Sequence, residues 1–271
     1  PYLLQKGRGG YRLGHDRIFD HMMLDGLEDA YEPGRSMGTF GEDCAAKYGF
    51  TRAEQDAFAT ASVERAKAAT ASGAFAAEIT PVTVKSRAGE TVVSVDEGPG
   101  KVKLDKIASL KPAFKKDGTI TAASSSSIND GAAALVMMRA STATKLGCKP
   151  LARIVGHATH AQEPEWFATA PLGATQKALA KAGWAVGDVD LWEINEAFAV
   201  VPMALMKELN LPHDKVNVNG GACALGHPIG ASGARIMVTL IYALQARGLK
   251  KGLATLCIGG GEATAVAVEL V

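Results

Sequence analysis

Two glycine-rich segments near the end of the chain contain one histidine and one cysteine. His227 lies in GACALGHPIGASG, residues 221–233, and Cys257 opens CIGGG, residues 257–261. An imidazole transfers protons near neutral pH, and a thiol with a shifted pKa removes protons or attacks carbonyl carbons. Glycine also lets backbone N–H groups approach a ligand closely. The two glycine-rich segments therefore indicate acid–base chemistry on a carbonyl compound.

Each feature also has a plainer interpretation. A cysteine in an apolar strand most often serves packing, and a single histidine is most often a hydrogen-bonded structural residue. Gly226, Gly230 and Gly233 give a loose dinucleotide-loop pattern, which would indicate a nicotinamide dehydrogenase. Two observations oppose that alternative. The spacing departs from G-x-G-x-x-G, and no acidic residue stands about twenty positions on, at the end of a next strand.

The elements that must position these residues alternate between strand and helix after Asp130. Apolar runs of strand length and helical periodicity predict an α/β layered domain. Only a glycine turn separates the last two strands, so they should pair antiparallel and make the sheet mixed. The predicted strands are residues 132–138, 152–158, 189–194, 216–218, 253–258 and 263–270, and the main helices are residues 172–182, 196–209 and 232–247.

The first part of the chain is less regular. Thr51 and Glu54 form a capping box that opens a long helix reaching about Ser72. Residues 79–84 and 91–95 alternate with the period of a β-hairpin. Residues 119–127 are small and rich in hydroxyl groups, which suits either a flexible linker or a polar wall against a ligand.

Composition narrows the class of protein. The chain has 271 residues, a net charge of +1 and 47% hydrophobic residues, which favours a globular protein without a nucleic-acid partner. None of its four cysteines forms a C-x-x-C pair, so neither a zinc site nor a redox motif is predicted. No apolar run reaches the length of a membrane span and no signal peptide is visible. We therefore expect a cytoplasmic protein without a metal.

Three short motifs together resemble the signatures of the thiolase family. They are HPIGASG at residues 227–233, CIGGG at residues 257–261 and NEAF at residues 195–198. The resemblance covers essentially the whole chain. It implies a thiolase-like layered α/β fold with a mixed five-stranded sheet and helices, plus an α+β loop domain. On that template residues 1–128 are the CoA-binding loop domain, residues 129–150 the tail of the N-terminal half and residues 151–271 the C-terminal half, with the first α/β half largely absent.

The resemblance implies acyl transfer between two acyl-CoA molecules. The reaction is the Claisen condensation of acetyl-CoA to acetoacetyl-CoA, or the reverse thiolysis, through an acyl-cysteine. No cysteine here matches the position of that nucleophile, so we expect it upstream of Pro1, in a longer protein or on a companion chain. The alternative is a catalytically inactive CoA-binding fragment or partner chain. CoA thioesters are the expected substrates, and no further cofactor is implied. The resemblance also implies a homodimer or homotetramer.

Four residues receive catalytic roles from the resemblance. His227 activates the nucleophile and later donates to a thioester oxygen, while Cys257 is the second base, a thiolate near neutral pH. Asn195 holds a water near His227, although from the sequence alone it also suits the N-cap of the next helix. The N–H of Gly259 is a donor to the tetrahedral intermediate. A condensing enzyme that acts on acyl-carrier protein would have a second histidine or an asparagine in place of Cys257.

The resemblance also places substrate contacts. Ser126 matches a serine that touches the pantetheine arm, and Met37 lies in the segment that covers the acyl end. Apolar contacts with CoA are expected from Leu27, Phe114, Ala197 and Phe198. Phe167, with Trp166, replaces smaller side chains of the bacterial biosynthetic pattern, and Ser36 replaces a histidine, so acyl preference stays open. Cys223, four residues before His227, is expected to serve packing.

Overall fold

The computed structural model describes residues 1–271. Residues 1–127 contain two antiparallel hairpins and two substantial helices, joined by irregular segments. In chain order the elements are β1 (Tyr2–Leu3), β2 (Phe19–Asp20), a π-helical turn (Met23–Leu27), α1 (Met37–Tyr48), α2 (Arg52–Ser72), β3 (Val82–Ser86), β4 (Gly89–Val93), α3 (Gly98–Lys101) and a 3-10 helix (Leu104–Ser109).

The longest helix, α2, follows directly from its sequence. The Thr51 hydroxyl accepts from the Glu54 N–H, and the Glu54 carboxylate accepts from the Thr51 N–H, so two otherwise unpaired donors are satisfied. Gly73 ends the helix in the left-handed conformation at φ 76°. The predicted start and end of this helix are therefore confirmed.

Strand and helix alternate in the second part of the chain, as predicted. None of the helices combines the length and apolar character that crossing a lipid bilayer requires. The elements are α4 (Ala140–Lys145), β5 (Ala152–Ala161), a 3-10 helix (Pro164–Thr169), α5 (Ala170–Ala182), a 3-10 turn (Val186–Asp188), β6 (Leu191–Ile194), α6 (Val200–Leu209), a 3-10 turn (His213–Lys215), α7 (Ala222–Leu225), α8 (Ser232–Arg247), β7 (Lys251–Ile258) and β8 (Glu262–Leu270).

One mixed sheet organises this part of the molecule. Its strand order is β5-β8-β7-β6; β6 and β7 run parallel, and β8 is antiparallel to both of its neighbours. Successive side chains of β7 enter different cores: Leu253 packs with the residues of α5, and Ala254 packs with those of α8. A strand presents alternate residues to opposite faces, so helices cover both faces of the sheet. The layered α/β fold is confirmed.

The predicted fifth strand, residues 216–218, is reduced to one bridge. Val216 pairs in parallel with Trp192, and the ladder then stops at Asn217, whose φ is +47°. The Asn217 side-chain amide replaces the ladder, because it accepts from the Ile194 N–H and donates to the Ile194 carbonyl, each at 2.8 Å. The sheet therefore has four strands and a bridge at the fifth position.

The predicted strand at residues 132–138 is wrong. These residues take part in no backbone hydrogen bond, and the side chains of Val136 and Met137 are 89% and 73% exposed. A strand requires a neighbour to complete its ladder, and none of the named strands lies beside this segment. Its apolar composition alone could not reveal that.

Candidate active site

Two parallel strands, β6 and β7, end side by side and bring two of the predicted residues to one edge of the sheet. Ile194 pairs with Thr255, and the next residue, Asn195, donates its backbone N–H to the Thr255 carbonyl at 3.0 Å. Cys257 lies two residues beyond Thr255, near the end of β7. The NEAF segment and the CIGGG turn therefore leave the sheet next to each other.

The His227 loop contacts the same edge. The backbone N–H of His227 donates to the Ser127 carbonyl at 3.0 Å, and the ring atom Nε2 of His227 lies 3.3 Å from Asn195 Nδ2. The other ring nitrogen, Nδ1, is 2.5 Å from the Ser232 hydroxyl. The imidazole is thus held on both sides, and the structure brings His227 and Asn195 into direct contact.

Burial makes His227 a neutral imidazole at pH 7. Loss of solvent around the ring, with a smaller effect from the Arg235 charge, lowers the His227 pKa from 6.5 to about 4. A neutral ring has a free lone pair on one nitrogen. It can therefore accept a proton at neutral pH.

Cys257 is buried near the end of β7, and burial opposes loss of its proton. It is 6% exposed, and burial raises its pKa to about 12. No cationic side chain is among the groups that shift this pKa, and the neighbouring Cys44 raises it slightly. The prediction of a resting thiolate near neutral pH is therefore wrong for the unliganded chain, since an apolar pocket disfavours the charged form.

Cys257 lies in the main apolar core of the chain. Cys257 belongs to one apolar cluster with Met37, Phe167, Ala197 and Phe198. Ring centroids are 6.4 Å apart for Phe167 and Phe198, and 5.6 Å apart for Phe114 and Phe198, with the latter pair nearly perpendicular. Five of the predicted substrate contacts, including Phe114 at the rim, therefore form one wall. Phe40 extends it by an edge contact with Phe167.

Met37 packs directly on the turn that follows Cys257. Its sulfur lies 3.3 Å from the position that a Cβ on Gly259 would occupy. A side chain at Gly259 would thus press on Met37, whose sulfur would have to move by a few tenths of an ångström. The neighbouring Gly260 and Gly261 adopt φ of +90° and +86°, which an L side chain would strain.

The hydroxyl-rich run at residues 121–127 is a wall and not a flexible linker. Ser125 forms an antiparallel bridge with Phe198, and the Ser124 carbonyl accepts from the Ala199 N–H at 2.8 Å. Ser126 donates both its N–H and its hydroxyl to the Ala197 carbonyl, each at 3.0 Å. In the unliganded chain this hydroxyl is engaged with the NEAF backbone.

Asn195 is not a helix cap. The following helix, α6, begins at Val200, and its N-cap is Ala199. With Nδ2 facing His227, the other amide atom, Oδ1, is buried and has no hydrogen-bond partner. An unsatisfied buried acceptor requires a donor from water or a ligand.

Leu27 is the predicted contact farthest from this cluster. It ends the π-helical turn and is half-buried. An ideal Cβ on the preceding residue, Gly26, would lie 3.4 Å from the Ile229 side chain, and Ile229 follows His227 by two positions. The turn that Leu27 ends therefore reaches the His227 loop.

Comparison with known proteins agrees with the motifs and the fold. The family described as "Thiolase, N-terminal domain" matches residues 1–141, and "Thiolase, C-terminal domain" matches residues 148–270. This chain belongs to the thiolase family. The two matches meet between residues 141 and 148, and the finer division at residues 128 and 150 stays a prediction.

Several relatives of this thiolase chain have names and structures. An acetyl-CoA acetyltransferase of Chromobacterium violaceum is 53% identical over 99% of the chain and 69% of its own length. A probable acetyl-CoA acetyltransferase of Dictyostelium discoideum is 51% identical over 99% of the chain and 65% of its own length. The crystal structure of the Bacillus anthracis acetyl-CoA acetyltransferase superposes with a TM-score of 0.95 at 46% identity, covering 100% of this chain and 68% of that one. The chain thus spans about two thirds of these relatives.

The sequence reasoning missed one residue of this thiolase site, Glu196. Its carboxylate is fully buried and accepts from the Ser62 hydroxyl at 2.7 Å, the Asn217 side-chain amide at 2.8 Å and the Cys223 N–H at 3.0 Å. These donors come from α2, from the interrupted fifth strand and from the loop before His227. A charged residue between a buried strand and the apolar pair Ala197–Phe198 was the available signal, since a carboxylate is rarely fully buried unless paired.

Cys223 is buried beside that network. It packs with Phe58 and Ala199, and its sulfur faces the Glu196 carbonyl at 4.0 Å. Burial and the nearby Glu196 charge raise the pKa of its thiol well above the ordinary value. Both observations favour the predicted packing role over a role as nucleophile.

Proposed function

We propose that this chain acts as an acetyl-CoA acetyltransferase, moving acetyl groups between two CoA thioesters. The observation that supports this most strongly is that one end of the parallel β6–β7 pair carries both the Asn195–His227 contact and the strand that ends near Cys257. The names of relatives at about half identity point the same way.

The reaction requires two bond exchanges. A cysteine thiolate attacks the carbonyl of the first acetyl-CoA, and the C–S bond to CoA breaks, leaving an acetyl-cysteine and a CoA thiolate. A base then removes a proton from the methyl group of the second acetyl-CoA. The carbanion attacks the acetyl-cysteine, so a C–C bond forms, the C–S bond to cysteine breaks, and acetoacetyl-CoA is released.

His227 suits the first exchange. Because its ring is neutral at pH 7, it can take the proton of the attacking thiol. The imidazolium that results can then donate to the developing oxyanion, together with a water bound to the unpaired Asn195 oxygen. That the attacking cysteine lies outside this sequence stays a prediction.

Cys257 suits the second exchange only if it first loses its proton. A thiol whose pKa is about 12 begins the cycle protonated. The departing CoA thiolate is a proton acceptor produced within the site, so Cys257 can protonate it and become the thiolate that removes the α-proton. Burial, which opposes a resting thiolate, then makes the transient one a stronger base.

The nucleotide end of CoA should enter from the Ser126 side. A cavity of about 560 Å³ beside Gly260 is lined by four carboxylates, from Asp29, Glu32, Glu165 and Glu262. Such a surface repels the phosphates of CoA. The Ser126 and Phe114 side presents hydroxyls and an apolar rim instead, which fits the pantetheine arm.

A thiolysis assay tests the proposal. The purified protein, in the form that cells produce, is incubated with acetoacetyl-CoA and free CoA, and products are separated by chromatography. We expect two acetyl-CoA to appear for each acetoacetyl-CoA consumed, and little turnover after His227→Ala. Saturable CoA binding without any acetyl-CoA would support the inactive CoA-binding alternative and contradict the proposal. Chain-length preference, cytoplasmic location and a homo-oligomeric state stay predictions.

A further inference from the structure

Both nitrogens of the His227 ring have a polar neighbour, and the two neighbours differ in kind. Nε2 faces the Asn195 amide, and Nδ1 faces the Ser232 hydroxyl at 2.5 Å. Ser232 is the first residue of α8 and is 1% exposed, so water does not compete for its hydroxyl. No role was assigned to this serine from the motifs.

The hydroxyl proton of Ser232 has a partner of its own. The Ser232 hydroxyl is placed to donate to the Pro228 carbonyl at 3.0 Å, and this carbonyl also accepts the backbone N–H groups of Ala231 at 2.7 Å and of Ser232 at 2.9 Å. A hydroxyl has one proton and two lone pairs, and a carbonyl can only accept. When the Ser232 hydroxyl donates to Pro228, its oxygen meets Nδ1 as an acceptor, which places a proton on Nδ1.

We infer that Ser232 is a positioning residue that fixes His227 in the Nδ1-protonated tautomer. The lone pair of the ring then lies on Nε2, where the Asn195 amide donates to it. The opposite tautomer would set an Nε2 proton against the Asn195 amide protons and a bare Nδ1 against an oxygen lone pair. Contacts at both ends of the ring thus select the same tautomer.

This assignment gives the serine a function that rests on the proposed function of the site. The base lone pair must face the reacting thiol, and the ring must not rotate when it becomes charged. An acceptor on Nδ1 meets both needs, since it fixes the ring and stabilises the imidazolium. The tautomer itself is measurable without any turnover.

Nitrogen-15 NMR of the imidazole tests the inference in the chain as it stands. The protein is labelled with ring-¹⁵N histidine, long-range proton–nitrogen correlations are recorded at pH 7, and the His227 signals are those lost in His227→Gln. We expect a protonated Nδ1 and an unprotonated Nε2 in the unmodified protein. A protonated Nε2, or rapid averaging of the two tautomers, would overturn the assignment, and neither result requires a mutation at Ser232.

Ser232→Ala and a matched control test the cause. Removing the acceptor should shift the His227 nitrogen signals toward the other tautomer or toward averaging. Thr239→Val removes another buried hydroxyl from the same helix, one that bonds to Glu78 and not to His227, and should leave the His227 signals unchanged. Unchanged signals in a folded Ser232→Ala protein would contradict the inference, whereas Ser232→Thr, which keeps the hydroxyl, should restore them.

Kinetics separates this inference from the proposed function. If the protein catalyses thiolysis, Ser232→Ala should lower kcat by about ten- to a hundred-fold, within what proton transfer contributes, with KM little changed. Absence of thiolysis in the unmodified protein would remove the proposed function and leave the tautomer result standing.

Discussion

At the scale of single residues, burial decides the protonation state of the candidate groups. The pKa of His227 falls to about 4 and that of Cys257 rises to about 12, because both lose solvent and neither gains an opposite charge. The residue types and their motifs were visible in the sequence. Their protonation states were not, since these depend on which side chains close around them.

His227 should make stability fall in acid. Its folded pKa of about 4 lies below the unfolded value of 6.5, so its contribution is present above pH 6.5 and is lost as pH falls toward 4. We expect a loss of at most about 3 kcal/mol from this group. Urea unfolding at pH 7 and pH 4.5 measures it, with His227→Gln as the comparison. An equal loss in both proteins would contradict the assignment.

At the scale of elements, side-chain hydrogen bonds satisfy backbone N–H and carbonyl groups that the helices and strands leave unpaired. Local signals predicted the capping box of α2 and both ends of α8, because these depend on neighbours within one helical turn. Residues 216–218 were predicted as a full strand from Val216 and Val218, but the Asn217 side chain replaces the ladder there. The strand predicted at residues 132–138 is wrong because pairing depends on a neighbouring strand and not on composition.

Asn217 should be one of the costliest asparagines to replace. Its amide makes three buried hydrogen bonds, to both backbone groups of Ile194 and to Glu196, and its φ is positive. We expect Asn217→Ala to lower the free energy of unfolding by about 2–4 kcal/mol. Asn210 is a matched control, as its φ is also positive but it ends α6 at the surface. Similar losses in both variants would show that only the backbone conformation matters.

Glu193, on β6, should give stability the opposite pH dependence. Complete burial raises its pKa from 4.5 to about 8, despite Arg235 nearby. Its contribution is therefore full below pH 4.5 and is lost as pH rises through 8, with a slope of at most about 1.4 kcal/mol per pH unit.

Glu193→Gln should remove that slope. Unfolding free energies at pH 6 and pH 9 measure it, with the exposed Glu90→Gln as the control. The glutamine protein should lose less stability than the unmodified protein at the higher pH. Parallel losses in all three proteins would contradict a buried, protonated Glu193.

At the scale of the whole molecule, the sheet and its two helical layers follow from the alternation of apolar runs. The site follows from three short motifs that the fold brings to one sheet edge. The sequence did not predict the contiguous apolar surface that residues 132–138 expose, because these residues were expected to form a strand. Such surfaces drive association, whereas single exposed apolar residues do not.

A charged variant tests that surface. Val136→Lys combined with Met137→Lys should reduce concentration-dependent self-association in sedimentation velocity without changing the circular dichroism spectrum. Tyr31→Lys, at another exposed apolar position away from this segment, should have no such effect. Unaltered association in the double variant would show that other surfaces cause it.

The most direct test of the account is exchange of the acetyl-CoA methyl protons in heavy water, followed by mass spectrometry. Cys257→Ala is compared with Cys223→Ala, which removes another buried thiol close to the site. With the protein in the form that cells produce, in which the acetyl-cysteine can form, deuterium should enter the methyl group in the unmodified protein and in Cys223→Ala, and Cys257→Ala should slow its entry by about a hundred-fold or more. Equal exchange by the Cys257→Ala protein would contradict a base at Cys257 and, with it, the proposed chemistry of this site.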